Sequence, residues 1–129
     1  MSATTKTTVT KISTVCIAVT DQDAMIDFYV EKLGFTKRVD IPFGNGYRWA
    51  EVAAGDAETT IALAPPPEGK PAGGVETGIC LHSDELQEYH AQLRAAGVDV
   101  DAEISDMGGP VPPMFWLRDP EQNVLIVVG

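Results

Sequence analysis

The chain has 129 residues, with 19 acidic against 9 basic side chains, a formal net charge of −10 and 2 cysteines. That length supports one domain burying roughly two thirds of its unfolded surface, so folding requires neither a structural metal nor a disulfide framework. The acidic balance repels nucleic-acid phosphates and anionic membranes, which removes both from the expected partners. The opening MSATTKTTVTK has no apolar run, so neither a secretion signal nor a membrane span is expected; a soluble, cytoplasmic protein with reduced thiols is.

The first predicted element is a strand in which Val15, Ile17 and Val19 alternate with Thr14, Cys16 and Ala18, the period of a strand with one face on the core. Thr20 or Asp21 caps a following helix, whose apolar face reads as Ala24, Phe28 and Leu33 and which stops at Gly34. Phe43-Gly44-Asn45-Gly46 is a hairpin signal between two strands, and Gly55-Asp56 opens a further turn. The run APPPEGKPAGG, Ala64 to Gly74, excludes helix and central strand and reads as a linker. Beyond it, Ile79 and Leu81 oppose Gly78, Cys80 and His82 on a second strand. Ser83 or Asp84 then caps a helix carrying Leu86, Tyr89 and Leu93, with Gly97 as its stop and His90 on its surface. SDMGGPVPP, Ser105 to Pro113, is a second Pro/Gly loop, and Asp119-Pro120 opens the last turn.

These elements repeat. TVCIAVTDQDAMIDFYVEKLGF is echoed by GICLHSDELQEYHAQLRAAGV, and GDAETTIALA by DPEQNVLIVV 64 positions later. The reading is a single α+β domain over residues 1–129, made of two tandem βαβββ modules at about 10–64 and 75–129, joined by a linker at about 65–74. Their curved mixed sheets enclose a cleft, lined by pseudo-symmetric pairs of residues. Applying the 64-residue offset pairs Val52 with Trp116, Ala50 with Met114 and Arg48 with Pro112. On that parity Trp116, Met114 and Arg48 face the cleft, while Tyr47, Trp49, Phe115 and Leu117 pack under the helices.

The segments VTDQDAMIDFYVEKLGF, LRAAGVDV and FWLRDPEQNVLIVV resemble the hallmark segments of the vicinal oxygen chelate superfamily. That superfamily includes glyoxalase I, extradiol dioxygenases, and fosfomycin- and bleomycin-resistance proteins, and the likeness runs over roughly residues 10 to 129. Its metalloenzymes hold a divalent ion with His, Glu or Gln on the first and last strand of each module. Carried onto this sequence, those positions are Thr14, Ala62, Gly78 and Ile126, none of which offers the nitrogen or carboxylate donors that Zn, Fe or Ni requires. The resemblance therefore implies the bleomycin-resistance-like branch, with no metal or other cofactor, and a symmetric homodimer whose subunits together complete the cleft.

Small residues at Thr14, Ala62 and Gly78 leave room beside Trp116, Met114 and Phe43, a setting for a flat aromatic or conjugated molecule. Arg48 or His82 is the candidate orienting a polar group on it, and His82 is also a candidate general acid or base. Cys16 and Cys80 read as small wall residues rather than nucleophiles, since no basic neighbour is evident to lower either thiol pKa. Glu51 and Glu58 read as strand-face or turn charges. The expected function is sequestration of a small apolar or aromatic ligand, such as an antibiotic or other aromatic natural product. Two alternatives stand: a small-molecule enzyme using His82 or a carboxylate, and an interaction dimer without a ligand.

Overall fold

The computed structural model describes residues 7–129 and realises the duplicated pattern. The first module runs β1 (Thr14–Ala18), α1 (Gln22–Asp27), β2 (Thr36–Gly44), β3 (Tyr47–Ala53) and β4 (Thr60–Ala64). The second runs β5 (Glu76–His82), α2 (Leu86–Ala95), β6 (Asp99–Val100), β7 (Met114–Arg118) and β8 (Val124–Val128). Each module forms a four-stranded mixed sheet, in the orders β1-β4-β3-β2 and β5-β8-β7-β6. The first and last strands of each module pair in parallel and the other neighbours are antiparallel. The β2–β3 hairpin turns through Asn45 and Gly46 at φ 53° and 78°, the two positive dihedrals that suit a tight hairpin with right-handed strand twist.

One continuous apolar core covers the helix side of both sheets. It takes Ile17, Ala50, Val52, Ile61 and Leu63 from the first sheet, Phe115, Leu117, Leu125 and Val127 from the second, and Met25, Tyr29, Leu86 and Leu93 from the helices. Several bonds tie the modules together. Tyr29 donates its hydroxyl to Asp119 at 3.0 Å, and Tyr89 donates to the Leu33 carbonyl at 2.7 Å. The Glu121 carboxylate accepts from the backbone N–H groups of Thr20 and Asp21, at the start of α1.

The helices differ from expectation in their faces. Asp21 caps α1 through its side chain, as read, but the buried positions are Gln22, Met25, Ile26, Tyr29 and Leu33, with Ala24 exposed and Phe28 half-buried. These positions keep the ordinary helical spacing of three and four, so the buried stripe follows the larger Met25, Ile26 and Tyr29 rather than Ala24; a π-type turn closes the helix over Phe28–Lys32. Glu85 stands at the N-terminus of α2, with the Ser83 hydroxyl accepting from its N–H. His90 is buried rather than on the surface: its ring nitrogen lies 2.7 Å from the Asp101 carbonyl and its ring meets Phe115 edge-on.

Both inter-module tyrosines make alkaline pH a probe of this core. Burial pushes Tyr89 up to about 12, and burial with the adjacent Asp119 pushes Tyr29 further in the same direction, from an ordinary value of 10.0. The neutral phenol is the form the fold prefers, so this stabilisation is complete below pH 10 and is lost as pH rises through the folded values. Urea melts at pH 8 and pH 11 are expected to show a lower midpoint at pH 11, and the drop should shrink in Tyr89→Phe. An identical drop in that variant would assign the effect elsewhere.

Candidate functional site

Strand register fixes which side chains share the uncovered face of each sheet. On the first sheet Thr14 pairs with Thr60, Cys16 with Ala62 and Ala62 with Glu51, and β2 places Val39 opposite Glu51 and Ile41 opposite Trp49. Because side chains alternate along a strand, the face away from the core carries Thr14, Cys16, Trp49, Glu51, Thr60 and Ala62. On the second sheet Cys80 pairs with Ile126, His82 with Val128, Trp116 with Ile126 and Met114 with Val128. The middle of its uncovered face is therefore apolar, with Met114, Trp116, Val124, Ile126 and Val128 all half-buried, and Arg118 at the end of β7 and Cys80 and His82 on β5 border it.

The candidate residues thus divide. Thr14, Cys16 and Ala62 share the first face; Met114, Trp116 and Ile126 share the second. Gly78, Cys80 and His82 run along the free edge strand β5, where they border a cavity of about 670 Å³ on the helix side between the modules. Its walls include Val15, Leu33, Ile61, Ile79 and Tyr89. Gly78 sits at φ 72° inside a break in the β5–β8 register between Glu76 and Cys80, a backbone conformation that disfavours other residues. Phe43 is exposed at the end of the first hairpin and stacks on Tyr47, with ring centroids 6.2 Å apart.

Arg48 departs from its expected place. It lies on the core side of β3, where Nε bonds Asp40 at 2.8 Å and Nη1 bonds Asp23 at 2.6 Å. Those carboxylates raise the guanidinium pKa, and Arg48 in turn holds the Asp40 carboxyl below the usual range. Ala50 and Val52 lie on the core side with it, fully buried, whereas Trp49 is on the uncovered face and Tyr47 is exposed. The reason is loop length. Six residues, 54–59, join β3 to β4, but five, 119–123, join β7 to β8. Trp116 therefore corresponds to Glu51, not to Val52, and a one-residue slip exchanges the two faces of a strand.

That exchange puts on the first face a polar array the sequence does not announce. Trp49 Nε1 donates to Glu51 Oε2 at 2.6 Å, Thr60 Oγ1 donates to Glu51 Oε1 at 2.7 Å, and the Thr14 and Thr60 hydroxyls stand 2.9 Å apart. His82 Nε2 lies 2.9 Å from Asp84 Oδ1, with both side chains exposed. Cys16 and Cys80 are exposed free thiols.

The four positions that would hold a metal do not fit one. Thr14 spends its hydroxyl on Thr60, Gly78 has no side chain, and Ala62 and Ile126 are hydrocarbon. Among the described residues, no three His, Cys, Asp or Glu side chains gather at metal-binding geometry.

The sequence model of the Glyoxalase/Bleomycin resistance protein/Dioxygenase superfamily matches residues 11–127. TnmS3, an antibiotic binding protein from Streptomyces sp. CB03234, superimposes with a TM-score of 0.82 at 29% identity, covering 95% of this chain and 98% of its own. A member of the superfamily from Sphaerobacter thermophilus DSM 20745 gives a TM-score of 0.83 at 29% identity, covering 93% and 97%. YurT, an uncharacterized protein of Bacillus subtilis (strain 168), is 32% identical over 108 residues, which is 76% of this chain and 84% of YurT. The chain therefore belongs to the glyoxalase/bleomycin resistance protein/dioxygenase superfamily.

Proposed function

We propose that this chain binds a small aromatic molecule, in the manner of an antibiotic-sequestering protein, without a metal and without transforming what it binds. The observation that carries this reading is the uncovered face of the second sheet, where Trp116 and Met114 stand among Val124, Ile126 and Val128, half-buried and outside the core. An aromatic ligand laid on that face gains apolar burial and ring stacking. The likeness to TnmS3, an antibiotic binding protein, supports the ligand class. The absence of nitrogen or carboxylate donors at Thr14, Ala62, Gly78 and Ile126 supports metal independence.

The same reading includes a homodimer. The shared core lies on the helix side of both sheets, so their other faces look outward and one chain encloses neither. Two copies related by a two-fold axis would set the first sheet of one over the second sheet of the other, giving two equivalent clefts. Strands β1 and β5 are both edge strands, with backbone groups free to meet a second copy.

Native mass spectrometry of freshly purified protein, paired with elemental analysis, tests all three parts. The expected spectrum is a dimer carrying a co-purified small molecule of unaltered mass, with no stoichiometric transition metal. About one Zn, Ni or Fe per subunit would overturn metal independence. A ligand that leaves chemically changed would favour an enzyme using the His82–Asp84 pair.

A further inference from the structure

The first sheet's uncovered face holds one carboxylate, and its partners fix its position without neutralising it. Glu51 Oε2 receives the Trp49 indole N–H and Oε1 receives the Thr60 hydroxyl, at 2.6 and 2.7 Å. Both donors are uncharged, and among the described residues no Lys, Arg or His lies within ion-pairing distance of Glu51. Arg48, three residues earlier, is committed on the opposite face to Asp40 and Asp23. Around Glu51 the face is otherwise uncharged, with Ala62 paired to it on one side, Val39 on the other and Cys16 beyond Ala62. Each carboxylate oxygen accepts two hydrogen bonds, so one acceptor direction on each remains for a ligand.

Covering this face strips water from Glu51, and a carboxylate losing water without a counter-charge is strongly penalised. A neutral aromatic would impose that penalty; a ligand bearing a cation would relieve it. Glu51 occupies in the first module the place that Trp116 occupies in the second, each paired across its sheet with the matching residue, Ala62 or Ile126. In the proposed dimer, which would oppose these faces, the carboxylate of one wall would stand across the cleft from the indole of the other. The excess of 19 acidic over 9 basic residues draws cations toward the molecule as a whole.

We infer that Glu51, held by Trp49 and Thr60, anchors a protonated amine, and that the ligand class is a planar aromatic carrying an ammonium group. The inference rests on the ligand-binding reading above and narrows it: the second sheet stacks the ring and the first sheet takes the charge. It also reverses the sign of the polar anchor that Arg48 would have supplied.

A matched pair of probes tests it, 1-(3-aminopropylamino)anthraquinone and its N-acetyl derivative, which differ in the charge at one nitrogen. Titrations followed by tryptophan quenching and calorimetry are expected to show the amine binding about tenfold more tightly, the scale of one charge-assisted hydrogen bond. In Glu51→Gln the two affinities should converge, the amine weakening as it loses its counter-charge and the acetyl form tightening because a neutral amide costs less to desolvate than a carboxylate. Raising the salt concentration should narrow the gap in the wild type only. Thermal melts establish that the variant is folded, and Glu51→Asp, which keeps the charge on a shorter arm, should retain part of the preference. Equal affinities in the wild type, or a preference that survives Glu51→Gln, overturn the anchor while leaving aromatic binding intact. If neither probe binds, the anchor and the stacking of planar aromatics both fail.

Discussion

Replacing Asp119 with alanine is expected to cost about 3–5 kcal/mol, the range for removing one partner from a buried polar network and leaving the others unmet. Asp119 is 1% exposed, and its carboxyl accepts from the Tyr29 hydroxyl, the Asn123 side-chain amide and the backbone N–H groups of Glu121 and Asn123, all at 2.9–3.0 Å. Tyr29 and Asn123 are fully buried, so their abandoned donors have no water to turn to. The same residue shapes the β7–β8 turn and joins it to the first module, so its loss loosens both. Thermal denaturation should show a fall in Tm of roughly 10 °C or more. Tyr29→Phe removes a single donor and should cost about 1–2 kcal/mol. A loss below that in Asp119→Ala would mean that the network is dispensable to the joint.

Trp116→Ala is expected to weaken aromatic binding by about 10- to 100-fold. Stacking is worth about 0.5–1.5 kcal/mol beyond burial, and the lost apolar contact adds a comparable amount. His82→Ala should change affinity by no more than about tenfold, because one neutral hydrogen bond contributes roughly 0.5–1.5 kcal/mol. The contrast follows from position. Trp116 is half-buried at the middle of an apolar face, whereas the exposed His82 sits at the end of an edge strand with Asp84 beside it. Calorimetry with the neutral anthraquinone decides the matter, and unaltered affinity in Trp116→Ala would remove the stacking model.

The duplication was legible because each half carries its own period-two strands, capped helix and glycine stop, all local signals. The face of β7 was legible for the same reason, since Phe115 and Leu117 are buried and Met114 and Trp116 are not. The face of β3 was not. Its sequence YRWAEVA mixes apolar and charged residues on both parities, so the offset from the second module had to decide, and that offset changes by one across a loop of different length. On the sequence alone Glu51 is a strand-face charge, and Arg48 stands beside His82 as a candidate anchor. His90 was misplaced for a different reason. Its partners, the Asp101 carbonyl and Phe115, come from segments beyond its own helix, and helical spacing says nothing about them.

The difference between six and five loop residues also describes how such a scaffold diversifies. Adding one residue to a surface turn costs little in closure entropy. On a strand that continues straight out of that turn, however, an odd change acts as a parity switch: every side chain changes wall, while the hydrogen-bonded ladder itself is unchanged in kind. An even change would leave the walls as they were. Two copies of one module thus carry, at the same place on their sheets, an acid in one and an indole in the other, an asymmetry that point substitutions alone would have had to build residue by residue.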